Sequence, residues 1–374
     1  MSDKRDIVFV STIHRMSERL LPVFEALSSD FNVHNVRIGQ ASQNTSYSAK
    51  ERFDNTSSMF VSCVSGQPVT TAVGARAARM RSKGEYDQFL RDMISRDVCC
   101  VIYDDCRNIV DERSLGDKIN KSVPHIANIH GNIDYGTTKR LLSRSKNKFS
   151  HMFVFGDNDV SKMRSTCGNI QLVTGGIPAN DSLAGVSVTK KFVTVIVNFI
   201  PTKGAVGSNE VGDVMTFDSR AIERLKLNSV CDALGVKLAL KLKHRLGSSV
   251  LNDVKCMRKL VGEEPEIFVN EDENAILQQS AAVISYGSTM AFKPIQMNIP
   301  TVIIKELGLI GNFASYEHTI SIRDDVRAHI MKQHDRVVCD SVFLDSTIAG
   351  GSTFTSTSCY VNNLLRIIDE NKKR

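Results

Sequence analysis

The sequence predicts an α/β protein of two domains, each a parallel sheet with crossover helices, on three observations. Short β-rich apolar runs alternate with amphipathic stretches of helical spacing almost from end to end, which is the pattern of repeated β-α-β units. The 374 residues exceed the length at which a single hydrophobic core stops growing. Over residues 175–191 the composition turns to Gly, Ser, Asn, Asp and Pro178 without periodicity, which marks an interdomain linker. The expected boundaries are residues 1–180 for the first domain, 181–358 for the second, and 359–374 for a helix that packs back on the first.

Residues 7–10 (IVFV) read as the first strand, residues 11–14 as its polar turn, and residues 17–27 as a helix with its apolar positions on one face. Residues 98–103 (VCCVIY) are a further buried strand ending in Asp104 and Asp105, and residues 125–129 and 152–155 are two more. The second half restarts the pattern, with strands expected at 192–197, 236–240, 267–269, 282–284 and 301–304. Residues 204–212 have the composition of a mobile loop, and residues 361–368 have helical spacing. Ligands of such sheets meet the loops at the carboxyl ends of the strands, so His14, Asp104, Asp105 and His130 are expected on one rim.

Composition excludes several classes. Hydrophobic residues at 42% and charged residues at 24% are ordinary for a globular chain, and the longest apolar runs fall far short of the roughly 20 residues a bilayer crossing needs. The first residues, MSDKRD, pass directly into a strand with neither a long apolar stretch nor a cleavage site, and the expectation is a cytoplasmic protein without a transmembrane segment. Nine scattered cysteines with no Cys-x-x-Cys pair support neither a zinc ribbon nor a disulfide framework, and reduced, mostly buried thiols are expected; no metal site and no cofactor is expected in this chain. The net charge of +6 suits either solubility or an anionic partner such as nucleic acid, lipid headgroup or polymer. With no Trp, a stacking platform for single-stranded nucleic acid is not expected.

The most informative segment is AAVISYGSTMAF, residues 281–292, where an apolar strand breaks into glycine and hydroxylated residues and then enters a helix. Unpaired N–H groups at a helix start, with Ser285, Ser288, Thr289 and the close approach that Gly287 permits, make an anion-binding corner. A plain Ser/Thr helix cap is the alternative. Residues 236–240 run into Lys241-Leu242-Lys243-His244-Arg245, where cations at a strand end suit a phosphate and a solvated basic edge is the alternative. Lys203, beside the mobile loop, completes the substrate-binding set.

In the first half, His130 follows a strand and has the pKa range of a general base, with a histidine bonded to local backbone as the alternative. Asp134, Asp104 or Asp105 would orient its ring, and His14 is the second candidate. Lys139, Arg140, Arg144 and Lys148 recur at helical spacing and form a cationic stripe, either a docking face for an anionic acceptor or a solvated surface.

Several of these segments resemble the GT-B enzymes that include CDP-glycerol glycerophosphotransferases, capsule-type glycosyltransferases and, more distantly, non-hydrolysing UDP-N-acetylglucosamine 2-epimerases. Asn128-Ile129-His130-Gly131 is similar to their His-Gly motif, and Phe153-Val154-Phe155-Gly156-Asp157 to the strand that follows it. Gly176-Ile177-Pro178-Ala179-Asn180-Asp181 is similar to a Gly-x-Pro-x-x-Asp linker entry. Leu240-Lys241-Leu242-Lys243-His244-Arg245 resembles a Lys-x-His-Pro strand end, and Ile284-Ser285-Tyr286-Gly287-Ser288-Thr289 a Ser-x-Tyr-Ser-Ser phosphate motif. The likeness covers about residues 125–305, with a fainter match over 11–27. Arg245 stands where proline is usual, and Lys293 where the family commonly carries an acid that contacts the nucleotide ribose.

The resemblance implies two Rossmann-like domains with an interdomain cleft, and a metal-independent glycosyltransferase that takes a nucleotide-sugar donor, of which UDP-sugars are one class. The resemblance names no acceptor: a polysaccharide, a lipid-linked saccharide, a protein or, for a viral gene, modified DNA are all open. The rivals are a CDP-glycerol-type phosphotransferase, a UDP-sugar 2-epimerase, whose His-x-Glu pattern is absent at His130-Gly131-Asn132, and a non-catalytic scaffold that binds an anionic partner.

Overall fold

Strands buried on both faces read as continuous apolar runs, and the runs IVFV, VCCVIY and FVTVIV are of that kind. The computed structural model describes residues 4–11, 14–38, 58–61, 63–64, 67–68, 91, 93–103, 120–129, 149–197, 217–242, 249–269, 271–308, 310–334 and 340–372. Its strands are β1 (Asp6–Ser11), β2 (Asn32–Ile38), β3 (Ser58–Val61), β4 (Cys63–Val64), β5 (Gln67–Pro68), β6 (Val98–Tyr103), β7 (His125–Asn128), β8 (His151–Val154), β9 (Gln171–Thr174), β10 (Phe192–Val197), β11 (Lys237–Leu242), β12 (Glu266–Phe268), β13 (Ser280–Ser285), β14 (Thr301–Ile304) and β15 (Thr319–Ile320).

Among the described residues these strands form a seven-stranded sheet, β3-β2-β1-β6-β7-β8-β9, and a six-stranded sheet, β12-β11-β10-β13-β14-β15. Pairing within both is parallel, and a small antiparallel β4–β5 pair stands apart. The chain divides into two compact units, Met1–Ser182 with Asp345–Arg374, and Leu183–Leu344. The first crossing falls inside a short 3₁₀ turn, Pro178–Leu183. No helix among the described residues is long and apolar enough to cross a membrane.

In the first unit, α1 (His14–Leu27) and the Ser356–Lys372 helix pack against one face of the sheet. Phe9, Phe24, Ile102, Phe153, Tyr360 and Leu364 belong to that core. The rings of Phe153 and Tyr360 stack at 3.9 Å, and the Tyr360 hydroxyl donates to Asn128 Oδ1 at 3.0 Å. Complete burial raises the Tyr360 phenol above its ordinary range, so it stays a neutral donor.

The Ser356–Lys372 helix is fixed at its start by Asp181. The carboxylate accepts from Ser356 N at 3.1 Å and from Thr357 N at 2.7 Å, satisfying two of the donors a helix start leaves unpaired. Gly176 allows this approach, because it has a φ of +66 and a Cβ there would collide with the Ala349 carbonyl and the Ser356 hydroxyl.

In the second unit, alternate residues of β10, β11 and β13 bury Val193, Val195, Leu238, Leu240, Ala282 and Ile284 against helices. The opposite face carries Ile196, Leu277, Val283 and Ile299. At the far side of this unit His318 is fully buried, and its Nδ1 lies 3.1 Å from Nδ1 of His329.

Two outcomes follow from this packing. Asp181→Ala should lower stability by about 1 to 2 kcal/mol, the range for a lost helix cap, and an unchanged urea midpoint would show the cap to be unimportant. Burial, the largest influence on His318, holds its pKa below the ordinary value, against the pull of Glu317 and Asp340. Its contribution is therefore complete above the unfolded histidine value of about 6.5 and is lost as pH falls through the lower folded value. Urea unfolding across that window should show a falling midpoint that flattens in His318→Gln; equal slopes would assign the pH dependence elsewhere.

Candidate functional site

Both sheets reverse direction around one strand. From β1 the chain builds outward through β2 and β3, then returns to place β6 on the other side of β1; from β10 it builds through β11 and β12, then returns with β13. The two crossovers leave a central strand in opposite directions, opening a crevice at the carboxyl ends of β1 and β6, and another at those of β10 and β13.

In the first unit the described chain stops close to this crevice. His14 opens α1 rather than ending the polar turn, and its side chain lies outside the described residues, as do Asp104, Asp105, His130, Asp134, Lys139, Arg140, Arg144 and Lys148. Arg19, Leu20, Ile129, Phe155, Ile177 and Pro178 line a cavity of about 30 Å³ at the ends of β7 and β8. The Arg19 guanidinium carbon sits 6.0 Å from the centre of the Phe155 ring.

In the second unit the carboxyl end of β13 is described in full. Ser285 is completely buried and donates its hydroxyl to the Tyr286 carbonyl at 2.8 Å, so it shapes the turn from inside. Gly287 is buried, and Ser288 and Thr289 are half-exposed. Ser288 is extended (φ −79, ψ 146) and its Oγ accepts from Met290 N at 3.3 Å, capping a 3₁₀ turn, Thr289–Ala291, that runs into the Phe292–Gln296 helix. Ser288 thus performs the capping role. Because the helix is short, an anion here would depend on the N–H groups of the turn and its hydroxyls more than on a macrodipole.

Tyr286 is half-buried, and desolvation raises its phenol pKa, with Glu273 adding to the rise and Ser288 opposing it. Its ring lies against Gly308 on the loop after β14, where a Cβ would approach Tyr286 Cδ2 at 2.9 Å. Lys293 donates to Asn274 Oδ1 at 2.9 Å and pairs with Glu273 Oε2 at 3.3 Å, so a carboxylate stands beside this cation. Glu306 accepts from Ser321 Oγ at 2.6 Å and from Ile322 N at 2.9 Å; burial opposes its ionisation, yet these hydrogen bonds leave its pKa below the ordinary value.

Strand β11, separated from β13 by β10, departs from expectation. Lys241, the first cation of the basic strand end, is 7% exposed, and its ammonium is hydrogen-bonded to main-chain carbonyls. Lys203, Lys243, His244 and Arg245 lie outside the described residues. The contacts of Lys293 with Glu273 and of Tyr286 with Gly308 join segments distant in sequence, and no local signal marks them. Among the described residues no group of three or more His, Cys, Asp or Glu is placed to hold a metal ion.

No protein-family model matches the sequence, and no curated protein matches it. Solved structures do. HepE of Anabaena, in complex with UDP and glucose, shares 9% identity with 98% of this chain and 100% of its own covered, at a TM-score of 0.57. UDP-GlcNAc 2-epimerase from Neisseria meningitidis, bound to UDP-GlcNAc, shares 10% over 96% and 100%, at 0.55. The wall teichoic acid polymerase TagF shares 12% over 99% and 92%, at 0.52. At such identity the likeness is one of architecture, and it extends over nearly the whole chain: this protein has the GT-B fold, two Rossmann-like units built on parallel sheets.

Proposed function

We propose that this protein acts on nucleotide sugars, and specifically that it is a metal-independent glycosyltransferase moving a sugar from a nucleotide-sugar donor to a hydroxyl acceptor. The observation that carries the reading is the Tyr286–Gly287–Ser288–Thr289 turn. It lies at the carboxyl end of β13, beside the strand-order reversal, with two half-exposed hydroxylated residues and a glycine in one tight corner. Support comes from the fold, since HepE and the Neisseria epimerase hold UDP, glucose or UDP-GlcNAc.

In this reading the donor diphosphate rests on the N–H groups and hydroxyls of Ser288 and Thr289, with Lys243, His244, Arg245 and Lys203 supplying positive charge. His130, oriented by Asp134, takes the acceptor hydroxyl proton as the oxygen bonds to the anomeric carbon. The nucleoside diphosphate departs with the electron pair of the broken bond, its new charge met by the same cations. His14 is the second candidate for the base. Lys139, Arg140, Arg144 and Lys148 would hold an anionic acceptor, whether polymer, lipid headgroup or DNA. The likeness to TagF favours a second reading, transfer of a phosphoryl-alcohol unit from a CDP-alcohol with CMP as the leaving group.

Thermal shift with UDP, CDP and GDP, followed by turnover of the donors of whichever nucleotide binds, tests the proposal. A bound nucleotide at about 100 times its Kd should add roughly 2.7 kcal/mol of stability. His130→Ala should lower kcat by about 10²- to 10⁴-fold while the nucleotide Kd stays constant. Release of CMP instead of a nucleoside diphosphate would select the second reading, and a protein indifferent to all three nucleotides would leave neither.

A further inference from the structure

We propose that Lys305, the first residue after β14, is a further binding residue of the nucleotide site, a cation that meets the donor diphosphate on the β13 turn; the role rests on the nucleotide reading above. β14 pairs directly with β13, and the parallel register sets Ile284 beside Val302 and Ser285 beside Ile303. Two residues further along each chain stand Gly287 and Lys305. Adjacent strands lie about 4.8 Å apart, so the backbone at 305 leaves the sheet next to the turn, across a gap that one side chain spans.

The face is also the one the turn occupies. Val302 and Ile304 enter the helix-covered core with Ala282 and Ile284, so Ile303 points to the opposite face. Ile304 is still extended (φ −99, ψ 121), which carries the alternation one residue further and turns Lys305 to the side of Ile303. The β13 turn passes to that side, because Met290 packs there against the cluster of Val283 and Ile299.

The loop that carries Lys305 is held against the turn. The Tyr286 ring lies against Gly308, where a Cβ would come within 2.9 Å of Cδ2. Leu307 is buried in the core, and Glu306 is tied toward β15, its carboxylate accepting from Ser321 Oγ at 2.6 Å and from Ile322 N at 2.9 Å. Of residues 304 to 308, Lys305 alone is exposed. Its neighbours fix the path of the chain and leave one cation on the rim. Ser288 and Thr289 offer a diphosphate N–H groups and hydroxyls but no charge, and Lys293, the cation nearest to them in sequence, is already paired with Glu273. An ammonium about one strand spacing away supplies that charge, weakened by solvent and salt because it is exposed.

The test measures UDP binding by calorimetry at low and high salt, together with the urea midpoint, for wild type, Lys305→Ala, Lys305→Arg and Lys237→Ala. Lys237 is the control, an exposed lysine that opens β11 at the amino end of the same sheet. The expected result is a UDP Kd raised about threefold to tenfold in Lys305→Ala at low salt, converging on wild type at high salt, with an unchanged midpoint. Lys305→Arg keeps most of the affinity and Lys237→Ala keeps all of it. Wild-type affinity in Lys305→Ala overturns the proposal, as does an equal loss in Lys237→Ala, which would report net charge alone. A loss that comes with a lowered midpoint, or that arginine does not recover, overturns it also. Should wild type bind no UDP while CDP or GDP binds, that nucleotide replaces UDP in the assay. If none of the three binds, the nucleotide reading itself fails and this role falls with it.

Discussion

Reversal of strand order about β1 and about β10 is the constraint from which the candidate site follows. A parallel pair cannot be joined by a hairpin, so each connection must cross over a face of the sheet, and the direction of crossing decides which strand ends lie under a helix and which open to a ligand. Where two crossovers leave one strand in opposite directions, the carboxyl ends remain uncovered. In the second unit that opening is bordered by the one segment whose sequence changes abruptly from apolar strand to Tyr-Gly-Ser-Thr. Chemistry and topology coincide there, which is why the site is placed at β13 and not at the equally buried β14.

The chain enters the first unit twice, and the contacts that anchor its return give physical content to the Gly-x-Pro-x-x-Asp segment. Gly176 leaves room for the Ala349 carbonyl and the Ser356 hydroxyl, and Asp181 accepts from the first two amides of the Ser356–Lys372 helix. These residues hold a long helix against α1 and the sheet. Their roles in the described structure are those of packing and capping.

Much of the architecture was legible because buried parallel strands write themselves as apolar runs. VCCVIY, FVTVIV and SAAVIS are each almost entirely buried, and each lies near the centre of a sheet. β2, β3, β4, β5, β9 and β15 carry no such signal. They are short or interrupted by polar residues, as in NVHNVRI and QLVT, and take their register from neighbours and not from a local period. The same division holds at the site. A strand ending in glycine and serine is a local signal, so Ser288 and Thr289 stood out, whereas burial of Ser285 depends on how the turn closes. Local sequence could not tell a solvated lysine at 241 from one turned inward onto Val269, because that carbonyl arrives from another strand. The ion pair of Lys293 with Glu273 was hidden for the same reason.

Hydrogen exchange read residue by residue, with and without saturating UDP, tests the central claim most directly. The account predicts that bound UDP slows exchange at the amides of residues 286–290, on the turn after β13, with smaller effects at the ends of β11 and β12. UDP bound by calorimetry but leaving those amides unchanged, or protecting only the carboxyl ends of the first sheet, would contradict it.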